Sequence, residues 1–188
     1  TLILAMILTG LLGVSIERVA YKPLRQASRL SVVITALGVG LLLENGMLAL
    51  TGANPRSYPE DFVTTTVYDI GGVSISNVKI IIIVLAALLF AGLFTIVQRT
   101  KWGMAMRAIS YDKFAVPLMG VSQDQIISLT FFLGTGLAAA GGILWGVAFP
   151  VLNPYMGLRV GWKAFIAAVV GGIGDIRGAA VGGLLLGF

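Results

Sequence analysis

The sequence has 188 residues, 57% of them hydrophobic and only 11% charged, with a formal net charge of +5. Soluble domains carry about a quarter charged residues, so a water-covered globular fold is excluded and lipid is the natural solvent. Cysteine and histidine are both absent, which removes disulfides, thiolate nucleophiles, zinc clusters and imidazole chemistry, and leaves no catalytic residue, metal or cofactor to expect.

A spanning helix needs roughly 20 predominantly apolar residues, because the hydrocarbon core is about 30 Å thick. Thr1 to Ile16 is apolar and lacks the basic flank and cleavage site of a signal peptide. It reads as the tail of a spanning helix, and the expectation is one transmembrane domain over residues 1–188, truncated at both ends. Glu17 to Arg29 is a connector with four basic residues (Arg18, Lys22, Arg25, Arg29) and one acid. Leu30 to Leu50 is a second span, with Glu44 and Asn45 near its far end. Thr51 to Asn77 holds Arg56 against Glu60, Asp61 and Asp69; its Asn54-Pro55-Arg56-Ser57-Tyr58-Pro59 stretch breaks a helix. Val67 to Ile75, around Gly71-Gly72, suits either a small hairpin or a polar connector.

Ile80 to Val97 is the clearest span, with Thr95 its one polar side chain. Arg99 to Asp124 then carries Arg99, Lys101, Arg107 and Lys113 against Asp112 and Asp124; within it, Ala108 to Met119 suggests a short surface helix that Gly120 stops, and the segment suits an ordinary solvated loop with interfacial anchors such as Trp102 better than a docking surface for a cytosolic protein. Ile126 to Phe149 is long enough to span despite Ser128, Thr130, Thr135 and several glycines. Trp162 to Val170 is short and runs into Gly171-Gly172, and Ala179 to Phe188 begins a last helix. Arg159 and Lys163 fall near the outer face, where basic residues are not favoured.

Backbone polar groups cannot stay unpaired in lipid, so the spans are helices or strands of a closed barrel. Barrel strands alternate apolar and polar residues; Ile80-Ile81-Ile82-Ile83-Val84-Leu85 does not. The predicted class is all-α, a polytopic transmembrane helical bundle. Lysine and arginine gather on cytoplasmic loops, which places loops of about 17–29, 99–125 and 171–178 inside and the loop of about 51–77 outside. The positive charge is this asymmetry and not a nucleic-acid patch.

Gly134, Ala138, Gly142 and Gly146 recur every fourth residue, the spacing that lets two helix backbones approach in lipid. Gly178 with Gly182, and Gly183 with Gly187, repeat it. Glu44 either faces a bundle interior or water-filled path, where a carboxylate in a span usually sits, or lies near enough to the outer interface to be solvated. Asn45, Asn153 and Thr35 suit either contact with a polar substrate or bridging between helices. Gly171-Gly172-Ile173-Gly174-Asp175-Ile176-Arg177-Gly178 lacks the terminal Lys-Ser/Thr of a nucleotide-binding loop and follows an apolar helix, so a tight turn is expected.

Several stretches resemble permease subunits of bacterial branched-chain amino acid ABC importers. Glu17-Arg18-Val19-Ala20-Tyr21-Lys22-Pro23-Leu24-Arg25 is similar to that family's ERxAYRPLR stretch. Thr35-Ala36-Leu37-Gly38 leading to Leu43-Glu44-Asn45 resembles its xIGxxxFLQN helix, with Glu44 where the family carries glutamine. Gly103-Met104-Ala105-Met106-Arg107-Ala108 with Asp112 and Met119-Gly120-Val121 resembles GRAxRAxxxDxxxAxLLGI. Asn153-Pro154-Tyr155-Met156-Gly157, Lys163-Ala164-Phe165 and Gly171-Gly172-Ile173-Gly174 match the remaining blocks in order.

The resemblance implies a pore-forming subunit in the cytoplasmic membrane. Its implied partners are a sister permease, two cytosolic ATPases and an extracytoplasmic solute-binding protein. Branched-chain amino acids are the expected cargo; importers of urea and short amides look similar at this level. It also implies contact with the ATPases through cytoplasmic connectors. The first candidate is Gly171, Gly172, Ile173, Gly174 and Asp175; the second is Gly103, Arg107, Asp112 and Gly120. Glu44, Asn45 and Asn153 are the candidates for the translocation path. An ion-coupled transporter would need buried carboxylates, for which Glu44 is the one candidate in a span. An intramembrane enzyme finds no constellation to sustain it.

Overall fold

The computed structural model of the chain describes residues 1–25, 27–52, 54, 56–57, 67–70, 73–112, 115–153 and 155–187. Pro55, residues 58–66, Gly71-Gly72, Lys113 and Pro154 lie outside the described residues, and with them Glu60 and Asp61 of the acidic connector. The helices are α1 Leu2–Ile16, α2 Arg29–Thr51, α3 Asn77–Arg99, α4 Lys101–Tyr111, α5 Ala115–Leu118, α6 Gln123–Ala148, α7 Met156–Gly171 and α8 Ile176–Gly187. Short strands β1 Arg56–Ser57, β2 Val67–Ile70, β3 Val73–Ser76 and β4 Val151–Leu152 form two antiparallel ladders, β1 with β4 and β2 with β3. The protein is all-α, with the hairpin reading of Val67 to Ile75 realised as β2–β3 in the register Val67↔Ser76 to Ile70↔Val73.

Four helical stretches are long and apolar enough to cross a membrane: Leu2–Leu24, Leu30–Thr51, Asn77–Arg99 and Gln123–Ala148. Several of their hydroxyls are satisfied within the helix, as lipid favours: Thr95 donates to the Ala91 carbonyl at 2.7 Å, Thr130 to Ile126 at 2.8 Å and Thr135 to Phe131 at 2.7 Å. Large apolar side chains stand uncovered along them, Ile83 at 68% and Leu88 at 64% exposure. In water such surfaces would aggregate; in lipid they are solvated.

Three boundaries differ from expectation. The connector expected from residue 17 is still helical: a π-helical turn, Glu17–Tyr21, and a 3-10 turn, Lys22–Leu24, prolong α1 until Pro23 and Arg25 end it. The surface helix begins at Lys101 rather than Ala108 and breaks at Asp112, whose extended backbone separates α4 from the single turn of α5. Helix α7 begins at Met156, six residues before the apolar run, because the hydropathy pattern stops at Arg159 and Lys163 while the backbone does not.

The chain divides into two compact units, Thr1–Gly40 with Tyr58–Pro150 and Leu41–Ser57 with Val151–Phe188. In the first unit, α1 packs antiparallel on α6. Phe132 and Thr135 side chains fill the space over Gly10 and Gly13, and a side chain at Gly136 would meet the Met6 carbonyl at 3.2 Å. Ala140, fully buried, continues that face. The antiparallel pairing brings the end of α1 and the start of α6 together, so the basic connectors on either side share one end of the pair.

In the second unit, α7 and α8 form an antiparallel hairpin. Gly171 and Gly178 meet backbone to backbone, and Gly182 lies against the Ala167 carbonyl, so any side chain at Gly171, Gly178 or Gly182 would overlap the neighbouring helix. The Gly178–Gly182 spacing therefore does serve close approach.

Candidate functional site

The most developed polar cluster lies where α1 meets α6. Glu17, in the π-helical turn, is fully buried. Its Oε1 accepts from Arg25 Nη2 at 2.5 Å and its Oε2 accepts from Ser128 Oγ at 2.8 Å. Arg25 Nη1 donates in turn to Asp124 Oδ1, and Lys22 Nζ pairs with Asp124 Oδ2 at 2.6 Å. Tyr21 packs on Phe131 with ring centroids 5.1 Å apart. Asp124 stands in the first turn of α6, where a carboxylate also meets the positive end of the helix dipole.

Burial strips water from the Arg25 guanidinium, but its hydrogen bonds to Glu17 and Asp124 outweigh that loss and hold its pKa above the ordinary arginine value. The inner part, Glu17 with Arg25 and Ser128, is where energy is at stake, because a buried charge is costly unless fully paired. The outer part, Lys22 with Asp124, is half exposed on both sides and contributes little. Sequence reasoning counted Glu17, Lys22, Arg25 and Asp124 as connector charges. The available signal was a lone carboxylate eight residues before an arginine, right after an apolar helix.

Among the expected ATPase-contact residues, Gly103, Arg107, Asp112 and Gly120 sit on one local structure of the first unit. Thr100 ends α3 and caps α4: its hydroxyl donates to the Ile96 carbonyl at 2.5 Å and accepts from Gly103 N at 3.1 Å. The sharp reversal brings Gly103 against the carbonyls of Ile96 and Val97, leaving no room for a side chain. Arg107 donates to Gln98 Oε1 of α3. Ile109, Val116 and Ile126 form a small buried cluster, flanked by Ala105, Met106 and Val121, that holds α4 and α5 on the start of α6. Gly120, at φ 77°, turns the chain into α6. Tyr111, Leu118 and Met119 are left almost wholly exposed on this structure.

Gly171, Gly172, Ile173, Gly174 and Asp175 form the tight turn between α7 and α8 in the second unit. Gly172 and Gly174 take φ of 97° and 101°, conformations that residues with a Cβ adopt at a cost. Asp175 Oδ1 accepts from Arg177 N at 2.9 Å, and Ile173 projects from the tip at 85% exposure.

The candidate path residues divide. Glu44 is half-buried in α2, and its buried Oε1 has no hydrogen-bond partner among the described residues. Asn45 is exposed and donates to the Leu41 carbonyl at 2.8 Å, a bond within its own helix. Asn153 is exposed in the connector between β4 and α7, outside any long helix, and its carbonyl accepts from Met156 N at 3.0 Å.

Within this chain the expected packing stripe is left largely uncovered. Gly134, Ala138 and Gly142 are exposed, and a side chain at Gly134 or Gly142 would meet open space; Gly146 alone of the four is buried. Helix α1 instead meets Gly136, and Ala140, one turn further on, is fully buried.

A groove of about 770 Å³ in the first unit opens beside this packing. It is mostly apolar, bordered by Val14, Phe132 and Trp102, with Arg18, Gln125 and Ser128 among its polar groups. Among the described residues there is no group of three carboxylates that would hold a metal ion.

Helices long and apolar enough to cross a membrane, with uncovered apolar faces, define an integral membrane protein of the helical class. The chain matches, over residues 1–188, the family described as branched-chain amino acid transport system / permease component, and it belongs to that family. It is 40% identical over 186 residues to the high-affinity branched-chain amino acid transport system permease protein BraD of Pseudomonas aeruginosa, covering 97% of this chain and 61% of that protein. It is 37% identical to LivH, the permease protein of the same description from Escherichia coli K12, over 97% of this chain and 60% of that one. A probable LivH of Methanocaldococcus jannaschii is 27% identical over 92% of this chain and 56% of its own length. The chain thus spans about three fifths of the curated relatives it matches. No solved structure matches it.

Proposed function

We propose that the chain forms part of the translocation path of an ATP-driven importer of branched-chain amino acids in the cytoplasmic membrane of a bacterium or archaeon. The observation that carries this reading is the family match over the whole chain, together with relatives named for that transport. A second permease subunit, two cytosolic ATPases and an extracytoplasmic binding protein complete the machine. The permease supplies no chemistry; it supplies two arrangements of packed helices, whose balance the ATPases shift by contacting them differently.

The contact surface consists of connectors at the cytosolic end. The α7–α8 turn presents Ile173 on a short rigid tip, and the α4–α5 structure presents Tyr111, Leu118 and Met119. Antiparallel α1 and α6 support the placement of the connectors around 17–29 and 99–125 on one side, where their basic residues favour the cytosol.

The test is uptake of labelled leucine by cells whose only branched-chain importer contains the full-length permease. Uptake should stop on ATP depletion and persist when an ionophore collapses the ion gradients, with unlabelled leucine competing and urea or acetamide not. Uptake that follows the ion gradient and ignores ATP would overturn the proposal.

A further inference from the structure

The groove beside the α1–α6 packing is built from three of the helical stretches that can cross a membrane. Its floor is one face of α6: Gln125, Ser128, Leu129, Phe132 and Leu133 line it, at the three- and four-residue steps of neighbours on a helix surface. Val14 of α1, Arg18 of the π-helical turn that prolongs it, and Ile96 and Thr100 at the end of α3 form its sides, with Trp102 at the start of α4.

The groove is graded along the helix axis. Gln125 is two residues into α6 and Leu133 is ten, so the floor runs from about 3 Å to about 15 Å from the start of that helix. Half of the hydrocarbon core is also about 15 Å. The slot therefore has the depth of one leaflet, with Gln125 at its shallow end and Leu129, Phe132 and Leu133 further in.

Its charge is one-sided. Arg18 is the one charged residue in the lining among the described residues, and it is exposed and in no ion pair there. Lys22 and Arg25 of the same stretch are instead taken up by Asp124 and Glu17. A smaller groove of about 360 Å³ shares Trp102 and Gln125 with the first, and its one charge is Lys101, again without an ion pair among the described residues. The Thr100 and Ser128 hydroxyls already donate to Ile96 and Glu17. Arg18, Lys101 and the Gln125 amide are left with hydrogen bonds to give. Two cations without a carboxylate, at the mouth of an apolar slot one leaflet deep, match an anionic head on a hydrocarbon tail.

We propose that this groove binds an anionic phospholipid, its phosphate on Arg18 with Lys101 and Gln125 beside it, and one acyl chain along Leu129, Phe132 and Leu133. Basic pockets between spanning helices hold such headgroups, and tryptophan is at home at headgroup level. The site requires a chain in the membrane and is independent of the cargo.

The test places the full-length permease, with the subunits that co-purify with it, in nanodiscs of phosphatidylcholine and phosphatidylglycerol in equal parts. Native mass spectrometry of the released protein counts the lipid it keeps. The unaltered protein should keep phosphatidylglycerol in preference, and Arg18→Gln should weaken that preference about fivefold. Lys79→Gln makes the same change of charge in the first turn of α3, at the other end of that helix, and should leave the preference unaltered. Leu133→Trp fills the deep end without touching a charge and should also lower the phosphatidylglycerol kept, which tests the groove even where Arg18→Gln fails to fold. Equal retention of the two lipids, an equal loss in Lys79→Gln and Arg18→Gln, or unchanged retention in Leu133→Trp would each overturn the site. Protein that keeps no lipid would assign the groove to another protein segment and overturn it equally.

Discussion

Replacing Glu17 with alanine removes the buried anchor of the α1–α6 junction. Arg25 loses the partner at 2.5 Å, and Ser128 loses the acceptor at 2.8 Å. Removing one member of a buried pair typically costs about 3–5 kcal/mol, since the other charge is left uncompensated. Arg25 is 23% exposed and keeps Asp124, so the lower end, about 3 kcal/mol, is the expectation for Glu17→Ala. Glu17→Gln keeps an acceptor for Ser128 and loses only the charge, and should fall between Glu17→Ala and the unaltered protein. Lys22→Ala breaks a half-exposed pair and should cost about 1 kcal/mol or less. Reversible unfolding of the full-length chain in mixed micelles reads these differences, and a Glu17→Ala/Arg25→Met double-mutant cycle isolates the pair. The double variant should recover part of the loss, because the orphaned cation is gone. The reasoning is refuted if Lys22→Ala costs as much as Glu17→Ala, or if the two changes in the cycle simply add.

Three further outcomes follow from local geometry. Gly103→Leu forces a side chain into the Ile96 and Val97 carbonyls and should cost about 1–3 kcal/mol, seen as faster proteolysis around Tyr111, whereas Gly134→Ala, in open space, should change nothing in the same assay. Gly174→Arg places a Cβ at φ 101° on the exposed turn; it should leave membrane insertion intact and abolish ATP hydrolysis stimulated by loaded binding protein, and full stimulation would remove this turn from the ATPase contact. Glu44→Gln should lower leucine uptake without lowering the amount of assembled complex, and uptake at the unaltered rate would take Glu44 out of the path.

Much of the helical layout was legible because lipid imposes one demand on every span: apolar side chains over a helix-length stretch with paired backbone. Ile80 to Val97 lies within α3, and Leu30 to Leu50 within α2, for this reason. The glycine-rich stretch after α7 was legible as a turn because its spacing suits positive φ. Hydropathy misplaced the start of α7, since it stops at charges and helix geometry does not. The periodicity of small residues in α6 named a packing face but not the one that meets α1, because Gly134–Gly142 and Gly136–Ala140 are both small-residue rows. The Glu17–Ser128 bond joins residues 111 apart in sequence, and no local pattern announces such a partner. Glu17 therefore read as one more connector charge, although it is the one fully buried large side chain among the described residues.

Cytosolic placement of both basic connectors underlies the proposed ATPase contact, and labelling in right-side-out vesicles reads it directly. With a membrane-impermeant thiol reagent outside, Ser57→Cys, on the strand after α2, should be modified at once, and Arg107→Cys only after the membrane is opened. Immediate outside labelling of Arg107→Cys, with Ser57→Cys protected, would invert the topology and contradict the proposed coupling to cytosolic ATPases.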